Sequence, residues 1–190
     1  MTGRPLTSFE QILLGRICIA PMSGYGLKQV FAATPMGLYQ PSSGALYPAL
    51  HRLEQRGLVQ VQAPAVPGHQ TARHPRVYEA TQAGQAAHAN WLRTPVDPAT
   101  VAHDLGLHLM RFAMMEHIFP PHEVLEFLQN LASALTQFTA QLEQYAAAAP
   151  DLGGHHPRLA LAHGLAVYRA SLRWAEHAIA ELSAVPAPTR

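Results

Sequence analysis

The chain has little charge, a single cysteine and no long uninterrupted hydrophobic run. Only 13% of its 190 residues are charged, which is about half of the usual fraction in soluble proteins. Cys18 has no partner for an intrachain disulfide, and the first residues lack the apolar segment of a secretion signal. The best apolar stretch, residues 12–20, is interrupted by Gly15 and Arg16, which excludes a membrane span. We therefore expect a cytoplasmic protein without membrane contact.

Catalytic and metal-binding motifs are also missing. The sequence has no Gly-x-Ser-x-Gly, no phosphate-binding glycine loop and no His-Glu-x-x-His. His103 and His108 lie five residues apart, which differs from the four-residue spacing of two ligands on a helix. The other grouped histidines that we considered are His117, His122, His155 and His156. We expect these histidines to be solvated or at helix ends, and we expect no metal, no cofactor and no enzymatic activity.

Charge is distributed unevenly between the two halves of the chain. Residues 1–93 carry eight Lys or Arg against three Asp or Glu, whereas residues 94–190 carry five against nine. Every cation except Lys28 is an arginine, and arginine presents two parallel donors to phosphates and guanine edges. The first half is therefore the candidate partner of an acidic molecule. An ordinary, mildly basic domain is the alternative, because DNA-binding domains are usually more basic.

The first 57 residues predict three short helices. Thr7 to Glu10 form a capping box that opens the first, and Pro21 ends it. Pro48 lies inside the third helix, where its ring would clash with the carbonyl four residues earlier. That carbonyl belongs to Gly44 in the first turn, where the backbone can adapt, so we expect the helix to continue with a local kink. Gly57 is the expected left-handed residue after that helix. The predicted helices span about residues 8–20, 23–34 and 42–56.

Two segments of alternating polarity follow, residues 58–62 and 76–80, and a loop with Pro, Gly and His joins them. They predict a hairpin. Thr81 then caps a helix over residues 82–93. The residues on its apolar side, which we expect to face inward, are Ala86, Ala87 and Trp91. Three helices, a hairpin and a helix are typical of the winged helix-turn-helix, whose third helix enters the major groove of DNA and whose wing reaches phosphates. We predict such a DNA-binding domain over residues 1–94.

The candidate DNA interface consists of polar and basic side chains on the second and third helices and on the wing. Such groups donate to phosphates and base edges. The candidates are Tyr25, Lys28, Gln40, Ser42, Ser43, Tyr47, His51, Arg52, Arg73 and Arg76.

These segments resemble the PadR family of transcriptional regulators. The resemblance covers about residues 8–93, and its most specific part is the run GALYPALHRLE with GLV soon after it. Further matches are Gly24-Tyr25, Arg76-Val77-Tyr78, Thr81 and Gly84. The resemblance implies a dimeric winged-helix repressor, with Tyr47 on the DNA-reading helix and Tyr78 on the second wing strand. It also implies a possible effector, since PadR relatives include sensors of phenolic acids and other small aromatic compounds.

The second half predicts long helices over about residues 101–119, 121–149 and 158–185. A helical hairpin is too thin to bury all of the apolar stripes on these helices. A second copy of the chain is the simplest partner that would bury the rest. We therefore expect a mainly α fold: an N-terminal winged helix-turn-helix with a two-stranded β wing, followed by a C-terminal helical bundle over residues 95–190. The final helix, with Leu161, Leu165, Tyr168 and Leu172, is the candidate subunit seam.

Aromatic and methionine side chains suggest an effector pocket, although core packing is the default explanation of such a set. The candidate pocket residues are Trp91, Phe112, Met115, Tyr168 and Trp174. The predicted function is a dimeric repressor that binds double-stranded DNA at a pseudo-palindromic operator and is released by a small phenolic or aromatic effector. The alternative is a winged-helix module for protein interaction that has lost DNA binding, which the low positive charge of the wing suggests.

Overall fold

The protein is mainly α-helical with one small antiparallel sheet, as predicted. The computed structural model describes residues 4–33, 43–62, 76–116, 118–148 and 153–184. The helices are α1 (Ser8–Ile19), α2 (Gly24–Ala33), α3 (Ser43–Gln55), α4 (Gln82–Leu92), α5 (Val101–Met115), α6 (Pro121–Ala148) and α7 (His155–Ala184). The strands are β1 (Met22–Ser23), β2 (Val59–Val61) and β3 (Val77–Ala80). The chain forms two compact units, Met1–Leu92 and Arg93–Arg190.

The predicted capping box at the start of α1 is confirmed. The Thr7 hydroxyl accepts a hydrogen bond from the Glu10 backbone N–H at 3.2 Å, and the Glu10 carboxylate accepts one from the Thr7 backbone N–H at 2.9 Å. Two N–H groups that a helix leaves without partners are thereby satisfied. The inner face of α1 includes Ile12 and Leu13, both fully buried.

The end of α3 also follows the prediction. Gly57 has a φ of +68°, a backbone conformation that a side chain disfavours. Its N–H donates to the Glu54 carbonyl at 2.9 Å, and the Leu58 N–H donates to the Leu53 carbonyl at 3.0 Å. This pair of bonds is a Schellman motif, which turns the chain directly from α3 into β2. Pro48 lies within α3, as expected.

The sheet has three strands instead of the predicted two. β3 lies in the centre, with β2 on one side and β1 on the other, and both pairings are antiparallel. In register, Met22 pairs with Tyr78, and Tyr78 pairs with Val61 on its other side. β1 escaped prediction because two residues are too few to show an alternating pattern. It is a strand only because β3 supplies its hydrogen-bonding partner.

Helix α4 is capped by Thr81, whose hydroxyl accepts a hydrogen bond from the Gly84 N–H at 3.0 Å. Its buried residues are Gly84, His88 and Leu92. We expected Ala86, Ala87 and Trp91 to face inward, which is wrong, because none of these three is buried. The contact that selects the other face is at Gly84, where an added Cβ would lie only 1.9 Å from the Leu58 carbonyl oxygen.

The core of the first unit lies between α1, α2, α3, α4 and the sheet. Its members are fully or almost fully buried, and they come from elements at both ends of the unit. They include Ile12, Leu13, Leu14, Ile17, Leu27, Phe31, Leu46, Leu50, Leu53, Val59, Tyr78 and Leu92. Packing of this set holds α3 against α1 and leaves the opposite face of α3 exposed.

In the second unit, α5 is shorter than expected and ends at Met115. Its first turns contain a non-helical residue, Asp104, with φ −111° and ψ 15°. Of the apolar residues of α5, Met115 is buried but Leu109 is 38% exposed, whereas two polar residues, His108 and Arg111, are buried.

Helices α6 and α7 pack against each other along their length. The large buried side chains of α6 include Phe127, Leu128, Leu131 and Leu135. Helix α7 starts at His155, earlier than predicted, because Pro157 occupies its first turn, where a proline N–H is not needed. No helix within the described ranges is long and apolar enough to span a membrane.

Candidate nucleic-acid interface

The outer face of α3 carries Tyr47, His51 and Gln55, which we call the reading stripe. Their four-residue spacing places them along one side of the helix. Tyr47 is 54% exposed and the side chain of His51 is 65% exposed. The Gln55 amide nitrogen lies 3.0 Å from Nε2 of His51. Because Leu46 and Leu50 on the other side of α3 are buried in the core, the reading stripe faces outward.

The Tyr47 ring rests on the backbone at the start of α2. A Cβ added to Gly24 would lie 2.8 Å from Cε1 of Tyr47 and 3.4 Å from its hydroxyl oxygen. Glycine is therefore the residue that lets the ring lie this close to α2. Next to it, the exposed Tyr25 accepts a hydrogen bond from the Gln29 amide at 3.2 Å. Tyr25 and Tyr47 thus both lie at the junction of α2 and α3.

Two predicted DNA-contacting arginines are held in ion pairs on either side of the reading stripe. Nε of Arg52 donates to Glu10 on α1 at 2.6 Å. Nη2 of Arg76 donates to Glu54 at 2.8 Å, and its guanidinium lies 5.6 Å from the centre of the Tyr78 ring. Each pair joins α3 to a neighbouring element. Each also reduces the positive charge that the arginine presents to a partner.

The acidic group at the α1 side is ionised at neutral pH. Burial raises the pKa of the Glu10 carboxyl, but hydrogen bonds from the Thr7 backbone and Arg52 outweigh burial and hold that pKa below its ordinary value. On the wing side, burial raises the pKa of the Tyr78 phenol, which keeps this hydroxyl protonated. The Arg52 contact is therefore a charged pair, whereas Tyr78 is a neutral part of the core.

Only some of the remaining residues that we predicted to contact DNA lie within the described part of the chain. Lys28 is exposed on α2, and Ser43 is the first residue of α3. Gln40, Ser42 and Arg73 lie outside the described residues. The structure therefore brings Tyr25, Tyr47 and His51 together on one surface, with Arg52 and Arg76 paired at its flanks.

Sequence reasoning missed several members of this surface. Gln55 could have been found, since it lies four residues after His51. Glu10 and Glu54 gave no such signal, because their arginine partners are 42 and 22 residues away in the chain.

The predicted effector residues fall into separate contacts. In the second unit, the ring of Phe112 meets Trp174 edge-on at 5.4 Å between centroids. The ring of Tyr168 meets Phe138 at 4.8 Å, and its hydroxyl donates to the Ala102 carbonyl at 3.2 Å. Met115 is buried. Trp91 belongs to the first unit, where its ring lies 5.7 Å from that of His88.

Two histidines are buried. One of them, His108, belongs to the grouped histidines and corrects the expectation that these are solvated or at helix ends. The other, His88, was not in that group. It is only 1% exposed, and neither ring nitrogen has a hydrogen-bond partner among the described residues. Burial lowers its pKa to about 4. In the second unit, His108 lies 3.3 Å from Nη1 of the buried Arg111. Burial, and then the charge of Arg111, lower the pKa of His108.

Comparison with known proteins gives one match to a family model and several matches to solved structures. Residues 13–90 match the model of the transcriptional regulator PadR-like family, whereas no curated protein sequence matches. Among solved structures, a PadR-like transcriptional regulator from Bacillus cereus is 20% identical, with 93% of this chain and 98% of that chain covered and a TM-score of 0.39. Bacillus subtilis PadR, in complex with operator DNA or with p-coumaric acid, is 19% identical, with coverages of 93% and 99% and a TM-score of 0.42.

The family match lies inside the first unit and spans α2, α3, the sheet and most of α1 and α4. These are the elements that carry the reading stripe and the contact between Gly24 and Tyr47. Over residues 13–90, the winged-helix unit of this chain is therefore similar to the transcriptional regulator PadR-like family.

Proposed function

We propose that this protein is a sequence-specific DNA-binding repressor that acts as a homodimer and is released by a small phenolic or aromatic effector. The observation that carries the proposal is the reading stripe, an exposed polar face on a helix whose other side is locked into the core. In a winged helix-turn-helix this is the helix that enters the major groove.

The chemistry of the reading stripe suits base edges and phosphates. Gln55 can donate and accept at once, which matches an adenine edge, while Tyr47 and His51 can donate to phosphates or guanine acceptors. Contact of the Tyr47 ring with Gly24 limits the positions of its hydroxyl. A donor held in place before binding loses little conformational entropy when it meets DNA.

A homodimer is supported by the apolar surface of the second unit. Leu159 is 51% exposed and Val167 is 40% exposed on α7, and Tyr145 is 57% exposed on α6. A second copy of the same helical hairpin offers a matching surface around a twofold axis. In such a dimer, we expect the two reading helices to lie roughly 34 Å apart and the operator to be a pseudo-palindrome. A stable monomer in sedimentation at micromolar concentration would argue against this assembly.

Release by an effector is supported by the aromatic contacts of the second unit, in which Phe112 meets Trp174. A flat aromatic ligand can replace one of these ring contacts with another of the same kind. It releases DNA only if it binds the DNA-incompetent arrangement more tightly. A coupling of about 1 to 3 kcal/mol would give roughly 5- to 150-fold release.

The alternative function, a protein-docking module without DNA binding, is favoured by the ion pairs of Arg52 and Arg76. Both arginines meet a carboxylate within 3 Å, which lowers the positive potential around the reading stripe. A surface of this kind, with an exposed tyrosine among polar groups, also suits a protein partner. Binding to DNA distinguishes the two functions directly.

The test is binding to the duplex upstream of the protein's own coding region, with a scrambled duplex of equal length as reference. We expect Tyr47→Ala and His51→Ala each to weaken specific binding by about 1 to 3 kcal/mol. His163→Ala, at an exposed position of α7, is the matched control and should bind as the unmodified protein does. Unchanged affinity in both stripe variants would refute this helix as the reader, and no binding to any duplex would favour protein docking.

Induction is tested by titrating small phenolic acids while recording tryptophan fluorescence and operator affinity on the same samples. We expect a saturating ligand to lower operator affinity within the range given above. A ligand that saturates the protein but leaves operator affinity unchanged would refute induction by that compound class. Phe112→Leu should weaken ligand binding without changing DNA affinity in the absence of ligand, since α5 lies outside the winged-helix unit.

A further inference from the structure

A cavity of about 260 Å³ opens where residues 4–7, the start of α1 and the last turns of α3 meet. The residues that line it are Arg4, Pro5, Glu10, Arg52, Gln55 and Arg56. We call it the arginine cavity. It lies entirely within the first unit, and it shares Gln55 with the reading stripe.

The arginine cavity has an excess of positive charge. Three arginines line it against one glutamate, and the carboxylate of that glutamate already accepts hydrogen bonds. One oxygen of Glu10 accepts from Arg52 at 2.6 Å, and the other accepts from the Thr7 backbone at 2.9 Å. Among the residues that the structure describes, Arg4 and Arg56 have no carboxylate within ion-pair distance. Within the described part of the chain, no ion pair therefore compensates the charge of these two arginines.

The cavity is also held in shape before any ligand binds. Nη1 of Arg56 donates to the Arg4 carbonyl at 3.0 Å, which fixes residues 4–7 against the end of α3. The pair between Arg52 and Glu10 fixes α3 against α1 in the same region. The positive end of the α1 dipole points toward this space, because Thr7 is the N-cap of that helix. The two contacts fix the shape of the cavity, and the helix dipole favours an anion over a neutral ligand.

Phosphate is the anion that best fits this arrangement. Guanidinium groups bind phosphate through two parallel hydrogen bonds, and several arginines around one site can satisfy its oxygens together. We propose that the arginine cavity binds a phosphate group of the DNA backbone, next to the bases that the reading stripe contacts. This inference rests on the proposed function, and it extends the interface from the outer face of α3 to the residues before α1.

The test is the salt dependence of duplex binding by the full chain. Removal of one phosphate-binding group should reduce the slope of log Kd against log salt concentration by about one unit. We expect the double variant Arg4→Gln, Arg56→Gln to reduce the slope by about one unit, equally on the specific and the scrambled duplex. The double variant Arg4→Lys, Arg56→Lys should retain most of the slope, since the charges remain. Arg158→Gln, Arg173→Gln removes two exposed charges from α7 and should leave the slope unchanged.

Several outcomes separate this inference from the proposed function. If the unmodified protein binds its duplex and the Arg4, Arg56 variant keeps the full slope, the arginine cavity does not contact DNA, while the proposed function stands. If inorganic phosphate raises the melting temperature of the unmodified protein but not of that variant, and the slope is unchanged, the cavity binds a free anion and the DNA assignment is wrong. If the unmodified protein binds no duplex, both the proposed function and this inference fail. Equal melting temperatures in the absence of phosphate confirm that the variants fold alike.

Discussion

Burial of His88 in α4 predicts that the winged-helix unit loses stability in mild acid. Its pKa is about 4 in the folded protein and 6.5 when it is exposed. Above pH 6.5 the ring is mostly neutral in both states, so its titration does not change stability there. As pH falls from 6.5 to 4, the unfolded chain binds a proton that the folded protein does not, so stability decreases across this window.

The size of the effect follows from the difference between the two pKa values. Each unit corresponds to about 1.4 kcal/mol, so protonation of His88 removes about 3 kcal/mol between pH 6.5 and pH 4. This is a large part of the roughly 5 to 15 kcal/mol that stabilises a typical domain. Replacement by leucine, which is similar in size and cannot ionise, should remove that loss. At pH 7.5 we expect the leucine variant to be at least as stable, because no described residue hydrogen-bonds the His88 ring.

The assay is urea unfolding at a series of pH values from 7.5 to 4.5. The chain has two tryptophans, so a Trp174→Phe background leaves Trp91 as the only reporter, with its ring 5.7 Å from that of His88. His177→Leu is the matched control, since that side chain is 73% exposed on α7. If His88→Leu loses as much stability on acidification as the unmodified protein, the buried histidine is not the cause and the reasoning is refuted.

Three further predictions concern the winged-helix unit. Gly84→Ala places a methyl group against the carbonyl oxygen of Leu58, so we expect a loss of about 1 to 3 kcal/mol in the free energy of unfolding, and an unchanged melting temperature would contradict the close approach. Gly24→Ala should displace the ring of Tyr47 and weaken operator binding several-fold with little change in melting temperature, whereas equal affinity would show that ring position is unimportant. Glu54→Gln releases the wing arginine from its ion pair, and a duplex-binding salt slope that does not steepen would mean that this arginine does not reach DNA.

The local sequence by itself predicted those helices and helix ends that depend on residues close together in the chain. The capping box at Thr7 and Glu10, the left-handed Gly57 and the apolar spacing of α3 each depend on residues within one or two turns. The winged-helix prediction was reliable for the same reason, because it depends on the order of these elements and on the run around Tyr47. The face of α3 that points outward also followed, since its leucines had to face the core.

Tertiary structure alone decided which charges are compensated and which polar groups are buried. Whether Arg52 is paired depends on Glu10, which is 42 residues away, and no local pattern encodes such a distance. Strand β1 exists only because β3 lies beside it. The alanines of α4 predicted that a different face of this helix is buried, so the burial of His88 was not predicted. The close approach of Gly84 to the Leu58 backbone places the face with His88 against the rest of the unit. Helical periodicity fixes which residues share a face, but only packing against the other elements decides which face is buried.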